Sequence, residues 1–484
     1  MELFELTAKE LSEKLINKEI SSEETVKSFL DRIEKTEPKI SAFNFVNNNA
    51  ILKAKEIDNL RLKNNDLPIL SGVPIALKDN ICTKGILTTC SSKILENFIP
   101  PYNATVVEKL ESNNIINLGK VNLDEFAMGS STENSAFRVT NNPWDITRVA
   151  GGSSGGSIAS VSASQTPLSL GSDTGGSIRL PASFCGVVGL KPTYGLVSRY
   201  GLVAYASSLD QIGPVSKTVT DNAMLFNVIA GNDSKDSTSL KTEIPDYTKS
   251  LVRDVKGLRI AMPKEMFDDG ISPDVKKSVI ESIKKLESLG AIVEEISLPL
   301  LKYGLSAYYI IATAEASSNL SRYDGVKYGF RAEGNIKDLE TLYLESRSQA
   351  FGSEVKRRIM IGTYVLSSGY YDAYYKKALK FRTLLLQNLN NIFSNYDMIV
   401  SPTSPITAWK KGEKTDPLSV YLADILTVLV NLAGIPAISV PCGFDSENLP
   451  IGIQFMSKSL NEPILYQTAY TLEQELNLNL KPNF

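Results

Sequence analysis

Apolar and polar positions follow two patterns along most of this chain, one typical of buried strands and one typical of amphipathic helices. Short apolar runs predict strands at residues 72–77, 115–118, 257–262, 291–296, 397–400, 437–440 and 451–455. Helical periodicity predicts helices at residues 105–113, 272–289, 370–391 and 462–476. Alternating strands and helices are typical of α/β proteins. We therefore predict an α/β fold with a large, mostly parallel mixed sheet covered by helices on both faces.

The first 65 residues follow a helical pattern and are predicted to form an N-terminal helical cap packed on the main body. Residues 7–10 and 21–24 both have the Ser/Thr-x-x-Glu spacing of a capping box, which predicts the start of a helix at each. Pro38 is expected to end the second helix, and a third is predicted over residues 50–64. No linker, repeat or low-complexity tract divides the remainder, so residues 66–484 are predicted to form one large domain.

Composition and charge indicate a globular protein of the cytoplasm. Hydrophobic residues make up 43% and charged residues 22% of the chain, which is ordinary for a protein with a sizeable core. The net charge of −3 gives no reason to expect direct, non-specific binding of nucleic acid. No apolar run reaches about 18 residues, so no membrane-spanning helix is predicted. Four scattered cysteines indicate reduced thiols and hence a cytoplasmic location.

The chain contains no histidine, and this restricts its chemistry more than any other feature of its composition. A Ser-His-Asp triad within this chain is excluded, as is any zinc site that uses histidine. The four cysteines, which could serve an all-thiolate site, show no CxxC pairing: Cys82, Cys90, Cys185 and Cys442. We therefore predict that this chain holds no metal and no cofactor, and that a serine nucleophile would need another base.

Glycine and serine are concentrated in two stretches, residues 149–157 and 171–179. Such stretches bring backbone N–H groups and small hydroxyls together, which suits an anion-binding nest or a serine nucleophile beside an oxyanion hole. Neither GxxxxGK[ST] nor GxGxxG occurs here, which weakens the first interpretation. Residues 173–177 place consecutive N–H groups directly before Ser177, which favours the second.

Lys78 is the candidate base. A lysine is usually a solvated surface charge, but Lys78 directly follows the buried strand predicted at residues 72–77. A desolvated lysine has a lowered pKa and can accept a proton. Cys185 is an alternative nucleophile, although its surroundings are more apolar and a free cysteine is more often simply buried.

Residues 151–157 and 171–192 together resemble the long Gly/Ser pattern of the amidase signature family. The resemblance implies a Ser-Ser-Lys triad with Ser177 as nucleophile, Ser153 as bridging serine after a cis peptide bond to Gly152, and Lys78 as base. It also implies an oxyanion hole built from the backbone N–H groups of Thr174, Gly175, Gly176 and Ser177.

A second resemblance is to one branch of that family, the glutamine-hydrolysing A subunits of tRNA-dependent amidotransferases. It is carried by residues 131–137, 323–329, 355–364 and 367–377. It implies that the chain releases ammonia from glutamine in a heterotrimer with the B and C subunits of such an enzyme. The B subunit would hold the tRNA, ATP and Mg²⁺, and would convert Glu-tRNA(Gln) to Gln-tRNA(Gln).

The same resemblance suggests four substrate-binding residues, with Arg357 for the α-carboxylate of glutamine, Asp424 for its α-ammonium, and Tyr308 and Ser130 lining the pocket. By its sequence alone, Arg357 fits a solvated basic helix face, whereas Asp424 lies in the apolar segment 420–430 and should be paired or functional. Two other functions stay open: a stand-alone amidase acting on other small amides, and a non-catalytic anion-binding scaffold.

Overall fold

The computed structural model of the protein describes residues 2–64, 66–268 and 270–484. Within these residues one eleven-stranded sheet runs through the molecule. Its strands in chain order are β1 Phe43–Val46, β2 Pro74–Lys78, β3 Ile116–Val121, β4 Leu168–Asp173, β5 Val188–Lys191, β6 Gln211–Ser216, β7 Arg259–Pro263, β8 Ile292–Ile296, β9 Met398–Pro402, β10 Ala437–Phe444 and β11 Pro450–Ser457. Their order across the sheet is β1-β3-β2-β4-β6-β5-β10-β11-β9-β7-β8.

The sheet is mixed, as predicted, but it is not mostly parallel. Among the described strands four neighbouring pairs are parallel, β2/β3, β2/β4, β7/β8 and β7/β9, and the other six are antiparallel. Three of the antiparallel pairs involve β5 or β6, which were not predicted. Two more join β11 to β10 and β9, which were predicted as strands but whose directions an apolar run does not indicate. Strands β5 and β6 both contain glycine or proline, which weakens the strand signal in a sequence.

Fifteen α-helices in the described ranges surround the sheet. They are α1 Ala8–Ile16, α2 Ser22–Ile40, α3 Ala50–Lys63, α4 Thr105–Ser112, α5 Gly155–Ser162, α6 Arg179–Cys185, α7 Val219–Ile229, α8 Pro273–Ser288, α9 Leu301–Asn319, α10 Leu339–Ala350, α11 Ser353–Leu366, α12 Lys376–Phe393, α13 Pro417–Tyr421, α14 Val428–Ala433 and α15 Glu462–Leu476. A π-helical turn precedes α12, where the sequence predicted continuous helix. Across the described residues, none of these helices is long and apolar enough to cross a membrane.

The N-terminal region confirms both capping boxes but corrects two details. Thr7 and Ser21 each accept a hydrogen bond from the third backbone N–H of their helix. Helix α2 continues through Pro38 to Ile40, because a proline in the last turn removes a single N–H and Ser41 ends the helix in a left-handed conformation. The region is also not wholly helical, since β1 forms one edge of the sheet beside β3. The predicted domain boundary at residue 65 lies outside the described residues.

The strand directions explain where the Gly/Ser stretches meet Lys78. Strand β2 lies between β3 and β4, is parallel to both, and is buried along its whole length. Because parallel strands end at the same edge of a sheet, Lys78 at the end of β2 and residues 174–177 after β4 come together there. Helix α5 begins at Gly155, so the turn at residues 151–154 reaches the same edge.

Candidate active site

Lys78 is completely buried and is surrounded by hydroxyl groups. Its Nζ lies 2.8 Å from Ser153 Oγ, 2.8 Å from Ser154 Oγ and 2.9 Å from Ser172 Oγ. Burial lowers the pKa of Lys78 to about 7, although three nearby carboxylates oppose this shift: Asp124, Asp173 and Asp210. A neutral amine is therefore accessible near neutral pH, and Lys78 can act as a base.

Ser153 lies in a tight turn, and the Gly152–Ser153 peptide bond is cis, as the family resemblance implies. The Ser153 carbonyl accepts a hydrogen bond from the Asp124 N–H at 3.2 Å. The Asp124 carboxylate fills the space beside Gly152, where a Cβ atom would lie 2.1 Å from Asp124 Oδ2. It also accepts the Thr132 N–H at 2.8 Å. Asp124 therefore holds the loop at residues 129–134 against the serine turn, a role that the sequence did not reveal.

Ser177 lies beside this turn, because its carbonyl accepts the Ser154 N–H at 3.1 Å. Ser177 retains 8% exposure whereas Ser153 and Lys78 retain none, so of the three it is the residue that a substrate can reach. The contact between Lys78 and Ser153 is thus present, and Ser177 is adjacent to it. Proton transfer from Ser177 through Ser153 stays a prediction.

The predicted oxyanion hole is corrected at one position. The Gly176 N–H donates to Asp173 Oδ1 at 2.8 Å and is therefore not free to bind an oxyanion. The Thr174 hydroxyl donates to Asp210 Oδ1 at 2.6 Å. In the part of the chain that the structure describes, the N–H groups of Thr174, Gly175 and Ser177 have no hydrogen-bond partner and remain available as donors.

Asp173 and Arg179 form a buried pair that holds in place the loop at residues 174–177, which we call the nucleophile loop. Arg179 donates to both Asp173 oxygens at 3.1 Å and also binds Asn431 Oδ1 at 2.7 Å and Gln454 Oε1 at 3.1 Å. Burial raises the pKa of the Asp173 carboxyl, but the Arg179 guanidinium outweighs it and holds the pKa at about 2. The carboxylate therefore stays ionised. No local pattern in the sequence indicated this network, because Asn431 and Gln454 are far from Arg179 in the chain.

Three of the predicted substrate-binding residues meet at the nucleophile loop. Ser130 donates to Asp424 Oδ2 at 2.5 Å, and burial raises the pKa of Asp424 to about 7. Tyr308 packs directly over Gly175, where a Cβ atom would lie 2.5 Å from Cζ of the ring. Thr427, one turn after Asp424, donates to the Gly175 carbonyl at 2.6 Å. The segment that carries Asp424 is therefore attached to the nucleophile loop.

Arg357 lies in the second turn of α11 with 43% of its side chain exposed, and it forms an ion pair with Glu354. The adjacent Arg358 is buried, with Nε 2.8 Å from Glu354 Oε1 and Nη1 2.7 Å from the Tyr205 hydroxyl. The structure brings Arg357 to the same carboxylate as Arg358, and its binding of a substrate carboxylate stays a prediction.

Cys185, the alternative nucleophile, is completely buried in α6, and its Sγ lies 3.4 Å from the Ala150 carbonyl. Burial raises the pKa of its thiol, which disfavours the reactive thiolate. Among the described residues, no group of three or more Cys, Asp or Glu could hold a metal ion. The expectation that this chain holds no cofactor stays a prediction.

The family model named Amidase matches residues 24–465, and the chain belongs to that family. Two relatives, from Caldanaerobacter subterraneus subsp. tengcongensis and Thermoanaerobacter pseudethanolicus, are 58% and 59% identical over 100% of this chain and 99% of their own length. Each is named as the A subunit of a glutamyl-tRNA(Gln) amidotransferase. The crystal structure of a protein of that name from Thermotoga maritima is similar with a TM-score of 0.82 and 45% identity, covering 98% of this chain and 95% of the other.

Proposed function

We propose that this chain hydrolyses glutamine to glutamate and ammonia, as the A subunit of a glutamyl-tRNA(Gln) amidotransferase. The observation that carries the chemistry is the 2.8 Å contact between Lys78 Nζ and Ser153 Oγ, immediately beside Ser177. The full-length similarity to named A subunits supports the choice of glutamine among amide substrates. A stand-alone amidase would share the same catalytic residues, so the substrate distinguishes the two functions.

Acylation begins with neutral Lys78, which accepts the Ser153 hydroxyl proton while Ser153 accepts that of Ser177. In the structure Lys78 Nζ donates to Ser153 Oγ, whereas in this step Ser153 donates to the neutral Lys78 amine. Ser177 Oγ attacks the side-chain carboxamide carbon of glutamine, and a tetrahedral oxyanion forms. The N–H groups of Gly175 and Ser177 stabilise it, each by about 3–4 kcal/mol if well placed.

Collapse of this intermediate breaks the C–N bond. The proton relayed to Lys78 returns through Ser153 to the leaving nitrogen, which departs as ammonia. Water then attacks the acyl-enzyme on Ser177 and gives its proton to the same relay. As the bond between Ser177 Oγ and the acyl carbon breaks, the relay returns this proton to Ser177 Oγ. Glutamate and the free Ser177 hydroxyl are released, and Lys78 ends neutral.

Selection of glutamine needs one anionic and one cationic group, because the substrate is a zwitterion. Asp424 suits the α-ammonium, since a buried carboxylate with its pKa raised to about 7 becomes ionised when a cation binds beside it. Arg357 suits the α-carboxylate, because guanidinium binds a planar carboxylate through two hydrogen bonds. Tyr308 and Ser130 complete the pocket around the nucleophile loop.

The amidation of Glu-tRNA(Gln) takes place on another polypeptide in this proposal. Activating a carboxylate for attack by ammonia requires ATP and Mg²⁺, which we assign to the B subunit of a cytoplasmic heterotrimer that also contains a C subunit. The net charge of −3 supports binding of the tRNA mainly by the B subunit. Ammonia formed at Ser177 would pass between the two active sites.

The decisive experiment uses Ser177→Ala in the complex co-expressed with the B and C subunits. Glutamine hydrolysis should be abolished, whereas amidation of Glu-tRNA(Gln) with added ammonium should persist. Ser348→Ala, an exposed serine of α10, serves as the matched control and should retain both activities. Glutamine hydrolysis that survives in Ser177→Ala would refute the proposed nucleophile. Turnover of glutamine no faster than that of simple aliphatic amides would favour a stand-alone amidase.

A further inference from the structure

Glu354 occupies the start of α11 and connects two arginines through separate oxygens. Its Oε2 contacts Arg357 Nη1, and its Oε1 accepts hydrogen bonds from Arg358 Nε at 2.8 Å and from the Tyr421 hydroxyl at 2.6 Å. Glu354 is 6% exposed, so these contacts form largely away from water. Charge-assisted hydrogen bonds of this kind are among the stronger ones in proteins.

The same carboxylate joins the elements that carry three of the four predicted substrate-binding residues, Arg357, Tyr308 and Asp424. Tyr421 stacks on Tyr309 of α9 with ring centroids 4.1 Å apart and planes 27° from parallel. Tyr309 is adjacent to Tyr308 in the chain, and Tyr421 lies three residues before Asp424. Glu354 therefore ties the position of Arg357 in α11 to Tyr308 in α9 and to the segment that contains Asp424.

Arg357 depends on this carboxylate more than Arg358 does. Arg358 is enclosed by the rings of Tyr205, Tyr309 and Tyr421, with its guanidinium carbon 5.3–5.5 Å from their centroids. Arg357 is 43% exposed, and Glu354 is its partner among the residues that the structure describes. An exposed arginine without a partner samples many rotamers, and ordering it opposes substrate binding.

We propose that Glu354 is a positioning residue that orients Arg357 for the α-carboxylate of the substrate, and so helps to select amides that carry this group. The inference rests on the proposed function and deepens it. It assigns the selection of an α-carboxylate to a group that does not itself bind the substrate. Glu354 differs in this respect from Asp424, which is proposed to contact the α-ammonium.

Glu354→Gln tests this with two substrates, glutamine and 4-aminobutanamide, which lacks the α-carboxylate. The amide side chain introduced by this substitution has one acceptor oxygen, whereas the Glu354 carboxylate has two. The amide NH₂ therefore faces one of the two arginines and cannot accept its hydrogen bond. The KM for glutamine should rise about tenfold, as expected for one lost charge-assisted hydrogen bond. The kcat for glutamine and the kcat/KM for 4-aminobutanamide should be unchanged. Where turnover of 4-aminobutanamide is too slow, its inhibition constant against glutamine replaces kcat/KM.

Two further variants separate positioning from a purely structural role. Tyr421→Phe removes one donor to Glu354 and should raise the KM for glutamine in the same direction but by less. This variant decides the matter if Glu354→Gln does not fold. Glu345→Gln changes an exposed glutamate of α10 and should behave as wild type. Equal effects on both substrates, or no effect on either, in a folded variant would overturn the proposal.

Failure of the proposed function would look different. A wild-type complex that does not hydrolyse glutamine, or that prefers 4-aminobutanamide, contradicts glutamine as the substrate whatever Glu354 does. A wild-type complex that prefers glutamine, together with a folded Glu354→Gln variant of unchanged KM, contradicts the role of Glu354 alone.

Discussion

Two lysines in this protein are equally buried, yet their surroundings suit opposite purposes. Lys78 ends β2 and Lys120 lies in the neighbouring parallel strand β3, with neither side chain exposed. Three hydroxyl groups surround Lys78 Nζ, together with the Ser172 carbonyl at 3.2 Å. Lys120 Nζ instead donates to the Ile81 carbonyl and to Thr88 Oγ1 at 2.9 Å, with Asp79 Oδ1 at 3.7 Å.

The partners of the two lysines differ in whether they can donate as well as accept a hydrogen bond. A carbonyl or a carboxylate can only accept a hydrogen bond, so the surroundings of Lys120 favour its ammonium form. A hydroxyl both accepts and donates, so the hydroxyls around Lys78 can satisfy either the ammonium or the neutral amine. Burial lowers the pKa of both lysines. Both lysines also contact hydroxyl groups, but those of Lys78 belong to the serine turn beside Ser177, which gives Lys78 a route to the proposed nucleophile.

The two environments lie on opposite faces of the sheet because side chains alternate along a strand. In the register of β2 and β3, Leu77 pairs with Lys120 and Lys78 with Val121, so the two lysines point to different faces. Asp79, which follows Lys78, accordingly lies near Lys120. A single short segment thus supplies the proposed base on one side of the sheet and the carboxylate partner of Lys120 on the other.

Replacing each lysine by methionine should separate the two roles with the largest effect. Lys78→Met should lower kcat for glutamine by at least about 10⁴-fold, as losses within other catalytic triads do. Lys120→Met should keep kcat but lower the free energy of unfolding by about 3–5 kcal/mol, because Asp79 loses its buried cation. Steady-state kinetics and denaturant unfolding measure these effects. Equal losses of kcat in both variants would contradict the comparison.

The kcat for glutamine hydrolysis should also depend on pH through Lys78. With its pKa lowered to about 7, Lys78 is neutral above that pH and protonated below it, and only the neutral amine can accept a proton. At saturating glutamine, kcat should therefore fall by about tenfold per unit well below pH 7. The Lys120→Met variant should show the same inflection, measured by ammonia release. A shifted inflection in the Lys120→Met variant would contradict the assignment of this titration to Lys78.

Removing one hydroxyl beside each lysine should give the smallest effects of the three. Ser172 Oγ accepts from Lys78 and, at 3.0 Å, from Asn80 Nδ2, so Ser172→Ala should lower kcat about tenfold by disturbing the base. Thr88→Val should leave kcat unchanged and lower the free energy of unfolding by about 1 kcal/mol. Kinetics and thermal unfolding on the same samples make the contrast direct. A loss of stability alone in Ser172→Ala would show that Lys78 does not need this hydroxyl.

Much of the local structure could be predicted because it depends on neighbouring residues. Both N-terminal capping boxes are present, and helix Glu462–Leu476 has the predicted bounds. Lys78 was identified from the buried strand before it and from the absence of histidine. Strands β4, β5 and β6 were missed because glycine, proline and serine interrupt their apolar pattern.

The site residues that the sequence did not reveal act over long distances in the chain. Asp124 holds the serine turn from a neighbouring loop, and Arg179 reaches Asn431 and Gln454 more than 250 residues away. No local feature of the sequence singles out Glu354. The partners of these residues depend on which strands and helices are neighbours in the fold. The local pattern of apolar and polar residues does not indicate which elements are neighbours.

The sequence by itself determined the available chemistry, since a chain without histidine that concentrates glycine and serine after buried strands must use another base for a serine nucleophile. The tertiary structure alone decided which N–H groups remain free, because Asp173 takes that of Gly176. It also decided the partners of the two buried lysines, which are hydroxyl groups beside Lys78 and the Asp79 carboxylate beside Lys120. Residue type fixes what a side chain can do, whereas the partners that surround it in a low-dielectric interior fix which protonation state it adopts.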